Sequence, residues 1–164
     1  MRPTPIPPEP GQESVWDYPR PPLLEPVSRH IRILHEGDVL ANTNRAYRVL
    51  ETSHPPVYYI PQADIQMQWL RERRTNPSFC EWKGSAIYWD LDKKGTRQPM
   101  IAWSYPDPTP GFQPIQDYLA FYPAPFECYV GDERVTPQPG EFYGGWITSD
   151  IVGPFKGVPG SWGW

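Results

Sequence analysis

The 164 residues carry 15 Lys and Arg against 19 Asp and Glu, a net charge of −4 with both signs interspersed, so the positive patch that displaces counterions from nucleic acid is missing and that partner is excluded. No run approaches the ~18 apolar residues of a membrane-spanning helix, and the start "MRPTPIPPEP" lacks the apolar stretch of a secretory signal, so no membrane partner and a cytoplasmic location are expected. Eight Trp, ten Tyr and 24 Pro predict a core built from rings, with short strands and ordered loops in place of long helices, because Pro removes a backbone donor and clashes inside a helix.

Residues 1–14 are Pro-rich and polar and read as an extended arm ahead of a single domain over 15–164. Trp16 and Tyr18, two apart on an extended segment, anchor that arm. "HIRILHEGDVLANT" reads as a hairpin turning at Glu36, Gly37 and Asp38, and "RAYRVLET" and "PPVYYIP" as further strands. Pro61 then opens "QADIQMQWLRERR", where Ile65, Trp69 and Leu70 fall at helical spacing and predict the one substantial helix, about ten residues long. Arg71, Arg73 and Arg74, interrupted by Glu72, read as its solvated end. "GSAIYWDL" and "PMIAWSYP" flank the turn "DKKGTRQ" as a second hairpin; "IQDYLAFYP" is a strand and "ECYVGDERV" a third hairpin. The final "GGWITSDIVGPFKGVPGSWGW" has too many Gly and Pro for regular structure and too many rings for disorder, so it should pack along the domain. The fold class is therefore mainly β (α+β), with one short helix and irregular termini.

The stretch "FCEWKGSAIYWD" concentrates the chemistry. Gly84 permits a tight turn or a close backbone approach at a strand start. Lys83 sits just before it, flanked by rings. There a lysine either lays its stem along apolar surface or presents a point charge at a pocket mouth, holding an anion or, if desolvated, titrating low. Cys80 and Cys128 are the only cysteines and no CxxC occurs, so no metal site is expected; a disulfide between them stays open, and a catalytic Cys80 would need a base such as His54. Arg45 and Arg48 lie three apart, so at most one points inward, while Glu51 shares a face with Tyr47 and Val49. Asp90-Leu91-Asp92 after Gly84-Ser85 is similar to the carboxylate pair of metal-dependent nucleotidyltransferases, although four intervening residues leave no room for the helical turn those enzymes place between the two parts. No P-loop, G-x-G-x-x-G or Ser-His-Asp pattern is present, and nothing in the sequence names a cofactor.

"VWDYPRPP", "RVLETSHPPVYYIP", "CEWKGSAIYW", "AWSYPDPTPGF", "AFYPAP" and "FYGGWITSDIVGPFKGVPGSWGW" together resemble the DUF427 family, small proteins of unknown function, in the longer form seen in some bacteria. The resemblance covers nearly all of residues 14–164. It implies a compact β-rich domain of the β-tent (Mss4-like) kind, with a pocket between its sheets. The chain departs from zinc-bearing members of that architecture, which carry paired CxxC motifs.

These readings converge on a small molecule, anionic in character, bound in an aromatic-lined pocket. Lys83, Trp82, Glu51, Arg48, Tyr58, Tyr88, Trp103, Tyr105 and Cys80 are the expected ligand-binding residues. The competing readings are a metal-dependent enzyme using Asp90 and Asp92, and a protein-interaction module presenting the arm or the C-terminal rings as a flat apolar patch.

Overall fold

The computed structural model describes residues 2–164, with side chains described for all but 74–76; the expected solvated position of Arg74 lies outside the described residues. The arm contributes β1 (Glu13–Ser14), and β2 (Leu23–Pro26) follows. The first hairpin forms as β3 (Ile31–His35) and β4 (Asp38–Thr43). It turns at Glu36 and Gly37, both at positive φ (49° and 84°), the geometry that matches the twist of a two-residue hairpin. Next come β5 (Tyr47–Leu50) and β6 (Val57–Ile60), then the long meander β7 (Leu70–Cys80), β8 (Gly84–Lys93) and β9 (Thr96–Ser104). After β10 (Leu119–Phe121), β11 (Glu127–Val130) and β12 (Glu133–Arg134) make the third hairpin. Three two-residue strands, β13 (Thr136–Pro137), β14 (Trp146–Ile147) and β15 (Ile151–Val152), tie down the C-terminal stretch.

The helix expected from Pro61 onward does not form. Two single 3-10 turns, Gln62–Asp64 and Met67–Trp69, lead straight into β7. The competing interaction is pairing with β8: Leu70 lies opposite Leu91, Arg71 opposite Asp90 and Glu72 opposite Trp89. Helix propensities differ by only about 0.7 kcal/mol per residue, and a full cross-strand ladder with a buried Leu70 outweighs them. The longest helical segment is instead the 3-10 stretch Pro110–Ile115.

Seven strands pair antiparallel in the order β2-β5-β6-β10-β9-β8-β7, and four more form a second sheet, β12-β11-β3-β4. The space between the two sheets is filled. Tyr58, Ile60, Leu119, Phe121 and Leu91 from the large sheet meet Ile31, Ile33, Leu40, Cys128 and Val130 from the small one. Trp146 closes the same core, fully buried, its indole N–H donating to the Phe121 carbonyl at 3.0 Å. The resemblance placed a pocket between the sheets; that position is occupied by side chains.

The opposite face of the large sheet carries a second set: Val49, Tyr59, Ala86, Trp103, Tyr105 and Ala120, with Phe112 and Ile115 from the 3-10 segment. A third cluster seats the arm. Val15, Trp16, Tyr18, Leu50 and Ile151 pack together, β1 pairs parallel with β15, and the Ile6 N–H donates to the Gly153 carbonyl at 2.9 Å. Trp16 and Tyr18 are both buried, though from a 3-10 turn over Val15–Asp17 and not an extended segment. No helix among the described residues is long and apolar enough to cross a membrane.

Candidate functional site

The loop between β7 and β8 is only Glu81, Trp82 and Lys83, because Cys80 already pairs with Gly84. Gly84 sits at φ 109°, and a Cβ there would stand 3.2 Å from the Asp107 carbonyl oxygen. Glycine is needed both for the backbone angle and for the close approach. Thr109 clamps the loop from above: its N–H donates to the Lys83 carbonyl at 3.0 Å and its hydroxyl to the Trp82 carbonyl at 2.6 Å. So fixed, the loop turns the Lys83 side chain onto the second face of the large sheet, its ammonium 5.7 Å from the Tyr105 ring centre.

There it meets a cavity of about 380 Å³, within the range of small-molecule sites. Val49, Tyr59, Ala86, Tyr88, Trp103 and Tyr105 form its floor; Glu51, His54, Cys80 and Lys83 edge it; Gln138, Phe142, Tyr143 and Lys156 wall it from the C-terminal stretch. Gly144 lets that wall lie flat on the floor, since a Cβ there would come within 2.4 Å of the Trp103 ring. The phenols are held in place. The Trp103 indole N–H donates to the Tyr59 hydroxyl at 3.3 Å, Tyr88 shares a 2.8 Å hydrogen bond with Ser78, and the Trp103 and Tyr122 rings lie 4.7 Å apart.

The charges are unequal. Burial disfavours the Lys83 ammonium, but the Tyr59 hydroxyl, the Cys80 thiol and the Glu51 carboxylate outweigh it, and its pKa is raised. Lys83 therefore stays protonated at neutral pH, opposite to the lowered pKa a general base or amine nucleophile requires. Among the described residues no carboxylate lies within 4.0 Å of its ammonium. Glu51 is already paired, 3.3 Å from Arg20. Lys156 adds a second cation, 5.8 Å over the Tyr143 ring.

His54 is neutral. Burial is the main cause, and its pKa is lowered to about 4 against the pull of Glu51, with Lys156, Arg20 and Lys83 pushing the same way as burial. Gln138 fixes the tautomer. Its Oε1 accepts from the Gly145 N–H at 3.0 Å, and its amide nitrogen donates to the Lys156 carbonyl at 2.7 Å and to His54 Nδ1 at 3.1 Å. The imidazole proton is thus on Nε2, facing Glu51 at 3.8 Å. Burial raises the pKa of Tyr59 and Tyr105, and lifts that of Tyr122 to about 12, so all three phenols are donors at neutral pH.

Of the expected site residues, Lys83, Glu51, Tyr88, Trp103, Tyr105 and Cys80 line this cavity. Trp82 does not; it packs against the ring cluster from the loop and serves through its carbonyl. Arg48 and Tyr58 lie on the other side of the sheet, where they face each other across β5 and β6. Arg48 is held by Glu13 and Glu25, each at 2.6 Å, so it staples the arm and meets no ligand in the cavity. Tyr58 stacks near Trp146, ring centres 5.1 Å apart, in the filled core. Both cysteines are free thiols; Cys128 lies in the filled core, where burial raises its pKa. Asp90 and Asp92 project along β8, but Asp90 is 3.0 Å from Arg73 and accepts the Met100 N–H at 2.9 Å, while Asp92 is 3.7 Å from both Arg71 and Arg97. Among the described residues no three His, Cys, Asp or Glu side chains converge in a way that could hold a metal ion.

A family model described as a domain of unknown function matches residues 23–132. The chain belongs to the DUF427 family. No curated protein matches it. The DUF427 match spans the large sheet and all of the second sheet but β12, and therefore the cavity floor, with Glu51 and Lys83; the wall residues Gln138, Phe142, Tyr143 and Lys156 lie beyond it. Within the DUF427 segment Tyr59 and His54, considered from sequence only as a further ring and as a possible base for Cys80, also line the cavity, and Tyr122, not anticipated at all, joins them. The signal for Tyr59 was alternation, two residues after Val57 on β6, and for Tyr122 the same parity with Ala120, one residue past the end of β10; for the wall residues no local pattern existed.

Proposed function

We propose that this protein binds a small organic anion in the cavity, with the Lys83 ammonium as its charge anchor and Tyr59, Trp103 and Tyr105 as its aromatic floor. The observation that carries this reading is the placement of Lys83: its side chain lines the hollow, with no carboxylate within 4.0 Å of the ammonium among the described residues, and its raised pKa agrees with a cation held there. Desolvating an ammonium costs free energy unless an opposite charge meets it, and a carboxylate or phosphate in the cavity would be that charge. Lys156 adds positive charge to the wall, its ammonium also donating to the Trp164 carbonyl at 3.4 Å, while the cavity's one carboxylate, Glu51, is already engaged by Arg20. Aromatic floors with a few placed polar groups are the usual make-up of small-molecule sites.

Chemistry by Lys83 is disfavoured by the direction of its pKa, and metal-dependent transfer by Asp90 and Asp92 is disfavoured by their arginine partners. The test is calorimetric titration with benzoate and phenyl phosphate, using Lys83→Met as the comparison. Binding weakened tenfold or more by the substitution is the expected result. Equal affinity in the two proteins, or no binding of either anion to the wild type, overturns the reading.

A further inference from the structure

Resting on the anion-binding reading, we infer that the ligand is an amphiphile: a monocarboxylate whose head sits at Lys83 and whose apolar tail runs out along β8 and β9 beneath Phe142. Beside the cavity lies a cleft of about 550 Å³, and Tyr88, Tyr122, Gln138, Phe142 and Tyr143 line both. The two spaces therefore share a boundary made of side chains, and Phe142, 71% exposed, stands over it. Their chemistry differs sharply. The outer cleft is floored by Pro99, Met100, Ile101, Pro123 and Pro125, and among the described residues Glu141 is its one charged lining residue. An anionic head is repelled there and drawn inward to the Lys83 ammonium; an apolar tail is accepted there.

Met100 is set for this purpose by the backbone. It is a non-glycine residue at φ 52°, between Pro99 and the buried Ile101, and it is 42% exposed. The Asp90 carboxylate stabilises the irregularity by accepting its N–H at 2.9 Å, close to where the β8–β9 register shifts. Irregularities of this kind re-aim side chains at sheet edges and beside sites, and a positive φ away from glycine persists only where its surroundings over-determine it. The Asp90 that sequence pattern likened to a metal ligand thus has a positioning role, holding the floor of the outer cleft.

The test is a homologous series of sodium n-alkyl carboxylates, from butanoate to decanoate, titrated below their micellar concentrations into wild type, Met100→Glu and Lys83→Met. Each buried methylene should tighten binding about two- to fourfold. In the wild type the Kd ratio of butanoate to decanoate should therefore be large, and it should collapse toward one in Met100→Glu, where a carboxylate faces the tail. In Lys83→Met every member should bind more weakly. Because Met100 is exposed, the variant is expected to fold, and Phe142→Ser at the shared boundary gives an independent second probe. Lys83-dependent binding of butanoate with no dependence on chain length overturns the tail site and leaves the anion site standing. Unchanged affinities in Lys83→Met overturn the placement of the head, and no binding at any length overturns both proposals.

Discussion

The two faces of the large sheet are made by the same strands and have opposite fates. On one face Tyr58, Ile60, Leu119 and Phe121 meet a regular second sheet and leave no room. On the other Tyr59, Ala120 and Trp103 meet a Gly- and Pro-rich chain and a short 3-10 segment, and a hollow remains. Adjacent residues such as Tyr58 and Tyr59, chemically identical, thus become a core ring and a cavity ring. The difference lies in the cover. A sheet offers a regular row of side chains every ~6.8 Å along each strand face and can interdigitate with another, whereas an irregular segment touches at a few points, such as Gly144 on Trp103, and bridges the gaps between them.

The largest effect should come from breaking the filled face. Phe121 is fully buried, packs edge-on against Phe126 at 5.9 Å and receives the Trp146 indole N–H at its carbonyl. Phe121→Ala should cost about 3–5 kcal/mol, the sum of lost transfer free energy and the cavity left behind. An unfolding free energy, taken from urea titration, lowered by that amount checks it. A loss below about 1 kcal/mol would mean that this side of the sheet collapses as easily as the hollow side, and the contrast between the faces would be gone.

The next effect belongs to the hollow face and is set by pH. His54 has a folded-state pKa of about 4 against an ordinary 6.5, so between these values the unfolded chain binds the proton and the folded one resists it. Stability is therefore fully present above pH 6.5 and falls as pH drops toward 4, by on the order of 3 kcal/mol over the whole window. His54→Gln keeps an acceptor for the Gln138 amide and removes the titration. Urea midpoints at pH 7, 6, 5 and 4.5 should slope downward for the wild type and much less for the variant. Asp64, whose pKa Arg45 holds below its ordinary 3.8, acts only at more acid pH and leaves this window clear. Parallel slopes for the two proteins would show that His54 is not buried against the wall.

Much of this organisation was legible in sequence. The strands alternate, and the turns carry a glycine where the backbone takes positive φ, Gly37 and Gly95 among them, so the hairpins follow from local physics. Lys83, Glu51, Trp103 and Tyr105 could be placed by ring density and by parity with Val49. Three things could not. The stretch from Gln62 to Arg73 has helical spacing, but its structure is decided by pairing with β8, a long-range event. In "VYYI" one tyrosine must face each way, and only the register Tyr47 opposite Tyr59 says which; a one-residue slip exchanges the faces, which is how Tyr58 came to stand among the expected ligands. The wall, from Gln138 to Lys156, is assembled by contacts such as Gln138 with His54 across 84 positions of chain, and no periodicity announces them.

The smallest expected change in stability is the most pointed. If Lys83 serves a ligand, the fold should barely notice its loss. Its raised pKa means that the ammonium contributes stability below the ordinary lysine value of 10.5, which is lost as pH rises through the higher folded value. Burial opposes that shift, and the strongest influence in its favour, the Tyr59 hydroxyl, is itself kept neutral by burial at pH 7, so there its attraction is absent and Cys80 and Glu51, the latter already paired with Arg20, remain. Met preserves the length and apolar stem that cover the ring beneath. Lys83→Met should therefore shift unfolding free energy at pH 7 by no more than about 0.5 kcal/mol in either direction, as for a surface substitution, while Phe121→Ala shifts it severalfold more. A loss of 2 kcal/mol or more would make the ammonium part of the framework, joining Lys83 to the filled face in kind and leaving the hollow face without a residue reserved for a partner.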